Sequence, residues 1–297
     1  MSVLESKKVV LYLMSQKGFE VLHAIIQNSY SNMIAAVIGS KDANVQNDYF
    51  DEIKKLANDN TIDFFDKNAL PLLENQYSIA ISWRWIIKNT NGLIVLHDSL
   101  LPKYRGFSPL VNALINFEPK VGVTALFASE EYDTGKVIAQ EDVEIFYPIK
   151  IEEAITIVSK LYQNIVLEVL TSIENNSLGE GKSQIEEDAT YSLWRDEEDY
   201  RIDWNKNAEE VRQFIFSVSY PFKGAVSKLS SNENIRIIDV LIIPDIVIEN
   251  RTPGKLIFIK AGFPVIVCGK GLLKITEAYY ENGESALPLP SFRTRLI

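Results

Sequence analysis

Two residues in the first half of this chain are suited to moving a proton. His97 closes the apolar run LIVLH, and Asp133 opens the run DTGKVIAQ. A neutral imidazole accepts a proton near pH 7, and a carboxylate beside it fixes its tautomer and stabilises its charged form. We therefore predict an enzyme in which these two side chains meet. The second histidine, His23, lies in the helical stretch EVLHAII, where we expect a hydrogen-bonded core residue.

Apolar strands must carry His97 to its place. Runs rich in β-branched residues alternate with helical periodicity through the first half of the chain: KVVLYL at 8–13, MIAAVIG from 33, SIAIS at 78–82 and LIVL at 93–96. Near-continuous apolar strands between helices predict a parallel sheet that is covered on both faces. Ligands collect beyond the carboxyl ends of the strands in such sheets. His97 stands at one of these ends, which favours a site.

Two later segments are predicted to be helices of the first domain. Ser108 followed by Pro109 is typical of an N-cap and the first turn of a helix. Apolar residues then recur at helical spacing across 151–173. Polar residues dominate 174–190, which predicts a loop between two domains.

The last third of the chain is predicted to be a small β-rich unit. Asn207 and Glu210 have the spacing of a capping box at the start of a helix. KLIFIK, PVIVCGKG and LLKITEA follow as short strands separated by glycine, which indicates a small barrel or sandwich. We therefore expect two domains, at 1–185 and at 186–297, with His97 and Asp133 in the first.

The tract from His97 to Gln140 carries a resemblance to a known family. It contains HDSLLPKYRG, VGVT and DTGKVIAQ in that order. This order and spacing resemble the folate-dependent formyltransferases, which act on methionyl-tRNA, glycinamide ribonucleotide or nucleotide sugars. The family fold is a Rossmann-like α/β core with a parallel sheet. The PGK turn, strand pair and LLKI resemble the small β-rich C-terminal subdomain of the tRNA and sugar enzymes, which the free purine-pathway enzyme lacks.

The resemblance implies a reaction and roles for the two residues named first. Members of the family move a formyl group from N10-formyltetrahydrofolate to a primary amine. The amine attacks the formyl carbon, negative charge develops on oxygen, and a proton leaves the nitrogen. By this resemblance, His97 serves as base or charge stabiliser, and Asp133 orients it.

Val95 departs from the family pattern, which has asparagine two residues before the histidine. Residues i and i+2 of a strand share a face, so Val95 is expected beside His97, where it cannot donate a hydrogen bond. Loss of one such donor costs roughly 10² to 10³ in rate. Three explanations stay open: another donor replaces it, the enzyme is slow, or transfer has been lost. Ser99, Asn112 or a backbone amide are the candidate donors.

Asp98 is a second departure, since the family has a small residue or proline there. A carboxylate at this position is suited to acting on the histidine or to binding a substrate amine. Neighbouring residues of a strand face opposite ways, however, so we expect Asp98 to point to solvent.

The resemblance also implies which residues contact the substrates. It places the pterin ring between two segments. One is the run after the strand SIAIS, with Trp83, Arg84, Trp85, Ile86 and Ile87, and the other precedes DTG, with Glu130 and Tyr132. Tryptophan and arginine suit a flat heteroaromatic ring through stacking and cation–π contact. The acceptor is expected to meet Ser99, Arg195, Tyr220 and Phe222, because TYSLWRDEEDYRIDW and SVSYPFKGA resemble the sugar-nucleotide contact region. Lys103 and Arg105 are expected to form a structural turn.

Composition limits the choice of acceptor. The net charge is -10 and the sequence pI is about 4.9. Affinity for nucleic acid rests on Lys and Arg that neutralise phosphates, so this charge argues against tRNA. A single cysteine, Cys268, excludes an internal disulfide, and no apolar run is long enough for a signal peptide or a membrane span. We expect a cytoplasmic protein with no metal, no nucleic-acid partner and no membrane contact; a homodimer is an open alternative to a monomer.

These observations favour one function and leave two alternatives. The favoured function is N-formylation of a UDP- or TDP-linked deoxyamino sugar for surface polysaccharide or flagellar glycan, as in a pseudaminic-acid pathway. Methionyl-tRNA formylation is the alternative within the family. Because of Val95, the third candidate is a folate- or nucleotide-sugar-binding protein, or a hydrolase that releases formate.

Overall fold

A computed structural model describes residues 9–69 and 75–297 of the chain. The N-terminal part contains β1 (Val9–Leu13), α1 (Ser15–Gln27), β2 (Ile34–Gly39), α2 (Phe50–Asp59), β3 (Phe64–Asp66), β4 (Tyr77–Ile81), β5 (Leu93–His97), β6 (Arg105–Gly106), α3 (Pro109–Ile115), β7 (Lys120–Phe127), β8 (Val137–Glu144) and α4 (Ile151–Glu174). The C-terminal part contains β9 (Tyr191–Ser192), α5 (Ala208–Ser217), β10 (Ala225–Lys228), β11 (Asn234–Ile243), β12 (Leu256–Lys260), β13 (Phe263–Val267) and β14 (Leu272–Tyr280). Lys8, the first residue of the predicted strand 8–13, lies outside the described residues.

The larger sheet has seven strands in the order β3-β2-β1-β4-β5-β7-β8. The five strands from β3 to β5 run parallel, which confirms the predicted Rossmann-like α/β core. β7 is antiparallel to both β5 and β8. β7 and β8 form a hairpin, and the loop that joins them, residues 128–136, contains Asp133.

Helices α1 and α4 pack against each other, and their apolar stripes join the main core. The predicted helical spacing over 151–173 is confirmed, since its apolar positions are the buried ones: Ile151, Ala154, Ile155, Val158, Leu161, Ile165, Val166, Val169, Leu170 and Ile173. Burial of each large aliphatic side chain contributes about 1.5–3 kcal/mol. This packing holds the carboxyl end of β5, where His97 lies, in place.

Both predicted helix starts are confirmed, but only the one at Asn207 has side-chain capping bonds. Asn207 Oδ1 accepts a bond from the Glu210 amide at 2.9 Å, and Glu210 Oε2 accepts from the Asn207 amide at 3.1 Å, which is a capping box. Ser108 precedes α3 with φ of 49°, and its side chain makes no capping bond. Asn112 Nδ2 instead donates to the Ser108 carbonyl at 3.0 Å.

The second sheet has five antiparallel strands in the order β10-β11-β14-β13-β12, which confirms the predicted β-rich C-terminal unit. Helix α5 packs against β11. The short parallel pair of β6 and β9 connects this unit to the first part. In the described ranges, no helix is long and apolar enough to cross a membrane. The boundary at 185 and 186 stays a prediction.

Candidate active site

His97 is the last residue of β5 and is buried opposite Thr124 of β7. Its Nε2 lies 2.8 Å from the carbonyl oxygen of Tyr104. A carbonyl can only accept a hydrogen bond, so Nε2 carries a hydrogen and donates. The tautomer is therefore fixed by the main chain, and Nδ1 is the ring atom that can take up or release a proton.

Asp133 lies against this free nitrogen. Its Oδ1 is 3.5 Å from His97 Nδ1, and its Oδ2 accepts a hydrogen bond from the Gly106 amide at 2.8 Å. Asp133 itself has φ of 57°, and Gln184 Nε2 donates to its carbonyl at 2.7 Å. Gly106 has φ of 99°, and a Cβ there would lie 2.6 Å from the Ser192 carbonyl, so glycine is required at this approach. The turn and the loop together aim one carboxylate at one imidazole.

Val95 lies on the face of β5 that carries His97, since the pairing of β5 with β7 is regular from Ile94 to His97. Two of the candidate replacement donors are already engaged. The Ser99 hydroxyl donates to the Lys103 carbonyl at 2.6 Å. The Asn112 amide nitrogen is bonded to the carbonyls of Ser108 and Phe107 at 3.0 and 3.4 Å. The protonated His97 ring and backbone amides remain as candidate donors.

The prediction that Asp98 points to solvent is wrong. Its Oδ2 pairs with the Lys17 ammonium, and the Tyr162 hydroxyl donates to its Oδ1 at 2.6 Å. Burial alone would raise the pKa of Asp98, but the charge and hydrogen bond of Lys17, with the Tyr162 bond, hold it below its usual value. The reverse face of β5 is covered by α1 and α4, and each supplies one of these partners.

The run after β4 forms an aromatic cluster beside the end of β5. Trp83 meets Tyr12 and Trp85 edge to face, with ring centroids 5.1 and 5.2 Å apart. Lys67 Nζ lies 3.1 Å from the Trp85 centroid. The charge of Arg84 is paired with Asp42 at 2.9 Å, while Ile86 is exposed and Ile87 is half-buried. Residues 83–87, which were predicted to bind the cofactor, therefore lie together at the surface.

A cavity of about 320 Å³ is lined in part by Tyr132 and Thr134, the two sequence neighbours of Asp133. It is lined by Arg105, Gly106, Phe107, Glu131, Tyr132, Thr134, Tyr191, Ser192, Leu193 and Trp194. Large apolar side chains stay exposed around it, including Tyr132 at 70% and Trp194 at 63%. Exposed apolar groups clustered round a concave site are typical of binding surfaces. Glu130 precedes this wall and is exposed.

Phe107, Leu193 and Trp194 were not among the individually predicted site residues. The run TYSLW, which contains Leu193 and Trp194, was expected to belong to the sugar-nucleotide contact region by resemblance, whereas no signal indicated Phe107. Arg105 is 1% exposed and donates to Glu186 at 2.9 Å and Gln184 at 3.0 Å, so it belongs to the turn as predicted.

The predicted acceptor residues do not meet in this cavity. Arg195 donates to Asn112 Oδ1 at 2.8 Å and to the Asp199 carbonyl at 2.9 Å, which connects α3 to the segment after β9. Phe222 packs against the core, and its carbonyl accepts from Gln46 Nε2 at 2.9 Å. Tyr220 is partly exposed next to this contact. Their roles in acceptor binding stay predictions.

The remaining reactive side chains are not arranged for other chemistry. Burial raises the pKa of the Cys268 thiol to about 12, so it is no nucleophile at neutral pH. Among the described residues, no group of three or more His, Cys, Asp or Glu side chains is placed to hold a metal ion. His23 is exposed on α1 and bonded to Gln27, so its prediction as a core residue is wrong.

Fold and site thus define an α/β protein with a histidine–aspartate pair at the carboxyl end of its sheet and an appended antiparallel unit. The family model described as formyl transferase matches residues 73–170, and the model of the formyl transferase C-terminal domain matches 195–292. Together they match more than half of the sequence. The chain belongs to the formyl transferase family.

Similar proteins include enzymes named for two different acceptor classes. Methionyl-tRNA formyltransferase of Fusobacterium nucleatum is 33% identical over 194 residues, which are 64% of this chain and 61% of that protein. WlaRD, a sugar 3N-formyl transferase solved with dTDP and 5-N-formyl-THF, superposes with TM-score 0.67 at 21% identity, covering 91% of this chain and 97% of the other. An N-formyltransferase from Helicobacter canadensis, in complex with folinic acid and dTDP-3-aminofucose, superposes with a TM-score of 0.65 at 18% sequence identity. The superposition covers 92% of this chain and 99% of the other. At these identities the two structures show a shared fold.

Proposed function

We propose that this protein transfers a formyl group from N10-formyltetrahydrofolate to the amine of a nucleotide-linked deoxyamino sugar. Membership of the formyl transferase family supports the reaction class. The net charge of -10 carries the choice of a small acceptor over tRNA, and this acceptor would fit in the cavity of about 320 Å³ beside Asp133. Its aromatic walls suit the apolar face of a sugar ring or a nucleobase.

The site's own residues account for the proton movements. The acceptor amine attacks the formyl carbon, and the bond from that carbon to N10 breaks. His97 Nδ1 takes the proton that the amine loses and returns one to N10, while Nε2 stays bonded to the Tyr104 carbonyl. Asp133 faces the imidazolium that forms between these steps and stabilises its charge. Protons balance, and no metal or redox group is needed.

The charges around the cavity limit what it can hold. Arg105 is the cation among the lining residues, and its guanidinium is already paired with Glu186. A diphosphate has no unpaired cation to meet there, so we place the sugar in the cavity and the nucleotide outside it. The net charge of -10 disfavours a tRNA acceptor for the same reason.

Methionyl-tRNA is the second candidate, because the Fusobacterium relative carries that name at 33% identity. The aromatic cavity would also suit a methionyl side chain, since sulfur packs well against aromatic rings. The two candidates differ in the size and charge of the rest of the acceptor.

Tetrahydrofolate production tests the proposal. Purified protein is given N10-formyltetrahydrofolate with UDP- and TDP-linked amino sugars, or with charged initiator methionyl-tRNA. We expect turnover with at least one sugar nucleotide and none with tRNA. Turnover with tRNA alone would establish the second candidate, and formate release without any amine would indicate a hydrolase. Binding of folate without turnover in every arm would identify a binding protein.

A matched pair of variants tests the cavity. Phe107→Ala removes a ring that is 52% exposed in the cavity wall, and Phe292→Ala removes one that is 56% exposed and not among the lining residues. We expect the first change to raise KM for the sugar nucleotide about tenfold, as loss of one aromatic contact implies. The second should leave KM unchanged. Equal effects would exclude the cavity as the acceptor site.

A further inference from the structure

Three ionisable side chains lie together on the reverse face of β5, directly behind His97. Lys17 of α1, Asp98 and Tyr162 of α4 form a cluster that we call the rear triad. The side chains of Lys17 and Asp98 are 11% and 15% exposed, and Tyr162 is buried. The proton transfer described above uses none of them.

The contacts of the rear triad leave Asp98 little freedom. One carboxylate oxygen pairs with Lys17, and the other accepts from the Tyr162 hydroxyl at 2.6 Å. The same hydroxyl lies 3.4 Å from the Leu96 carbonyl. Burial and the Asp98 charge raise the pKa of Tyr162 well above its usual value, so it stays a donor. The backbone on both sides of His97 is thereby tied to two helices.

Net stabilisation of the fold does not by itself explain why this position has a buried ion pair. Desolvation of two charges costs several kcal/mol per ion, and apolar residues of similar volume often replace a buried ion pair without loss. A small residue or proline is typical of the family at position 98, so the fold itself does not require a carboxylate there.

Charge connects the rear triad to the active site as well as geometry does. Burial raises the pKa of Asp98, whereas Lys17, the Tyr162 hydrogen bond and the charge of His97 lower it. Coupling between two groups is reciprocal, so the charge of Asp98 also acts on the His97 ring. The ionisable groups near that ring are Asp133 in front and Asp98, Lys17 and the neutral Tyr162 behind.

We propose that Asp98, held by Lys17 and Tyr162, is a positioning residue that fixes His97 against Asp133 and adds negative charge behind the imidazolium formed during transfer. The part that concerns turnover rests on the proposed function. The part that concerns the imidazole can be measured without any acceptor.

The test compares Asp98→Asn with a control variant, Asp239→Asn. Asp239 lies on β11, and its carboxylate is paired with Lys150. Asparagine keeps the shape of Asp98 and its bond from Tyr162. In the Asp98 variant we expect kcat for the best sugar nucleotide to fall about tenfold to a hundredfold, as a misplaced catalytic group implies, with KM nearly unchanged. The Asp239 variant should keep wild-type values. Circular dichroism and thermal unfolding check that both fold.

Imidazole titration by NMR supplies the second readout, because the chain has two histidines and His23→Gln assigns them. Asp98→Asn should move the titration midpoint of His97 to lower pH and leave that of His23 in place. An unmoved midpoint or an unchanged kcat in Asp98→Asn overturns the proposal. Absence of turnover by the wild type contradicts the proposed function instead, and the titration still decides this proposal.

Discussion

On the front face of β5, His97 donates one hydrogen bond from Nε2 and leaves Nδ1 at 3.5 Å from the Asp133 carboxylate. On the reverse face, both oxygens of Asp98 are engaged by a lysine and a tyrosine. His97 and Asp98 are adjacent in sequence, yet one keeps a ring nitrogen without a hydrogen bond and the other has both carboxylate oxygens bonded. A group that exchanges a proton needs one atom without a fixed partner, whereas a group that holds the backbone in place needs every atom bonded.

Substitution of His97 should have the largest effect, because it removes the atom without a fixed partner. We expect His97→Asn to lower kcat about 10³- to 10⁴-fold in the tetrahydrofolate assay, within the range for a positioned acid–base group. His23→Asn, at an exposed position of α1, is the matched control and should be silent. Retention of activity by folded His97→Asn would remove the proposed role.

Asp133→Asn should have the next largest effect. Asparagine can still accept from the Gly106 amide, so the loop is kept while the charge facing Nδ1 is lost. We expect kcat to fall about 10²-fold, less than for His97→Asn, since the imidazole itself remains. A larger loss than in the histidine variant would make Asp133 the principal group of the pair and His97 the secondary one.

Val95→Asn tests whether the front face of β5 lacks a hydrogen-bond donor, because it adds one beside His97. The expected outcome is a rise in kcat of up to about 10²-fold, or weaker folate binding if the amide fills occupied space. Val95→Leu adds similar bulk without a donor and separates the two outcomes. Transfer by Val95→Asn together with none by the wild type would refute the enzyme assignment and support a binding protein.

The smallest effect concerns stability on the reverse face. The pKa of Asp98 is lowered in the folded protein, so its carboxylate contributes stability that is present above the unfolded pKa and is lost as pH falls through the lower folded value. Wild-type Tm should therefore exceed that of Asp98→Asn at neutral pH, and the gap should narrow below pH of about 4, the ordinary range for aspartate. A gap that does not change between pH 7 and pH 3 would contradict this assignment.

The sequence predicted the features that local spacing controls. Apolar runs predicted β1, β2, β4 and β5, but not the short β3. Helical periodicity predicted α4, and the three-residue spacing of Asn207 and Glu210 predicted a capping box that the structure contains. The order of motifs from His97 to Gln140 indicated the family. In each case the residues that decide the outcome are neighbours along the chain or belong to one motif.

Tertiary structure alone decided where the remaining side chains lie. Lys17, Asp98 and Tyr162 come from three separate elements, so no spacing rule could replace the expectation that Asp98 faces water. The cavity beside Asp133 likewise combines β6, the loop after β7 and the segment around β9. Strand alternation determines which face of a sheet a residue occupies, but whether that face is covered by helices or by water depends on contacts between residues far apart in sequence.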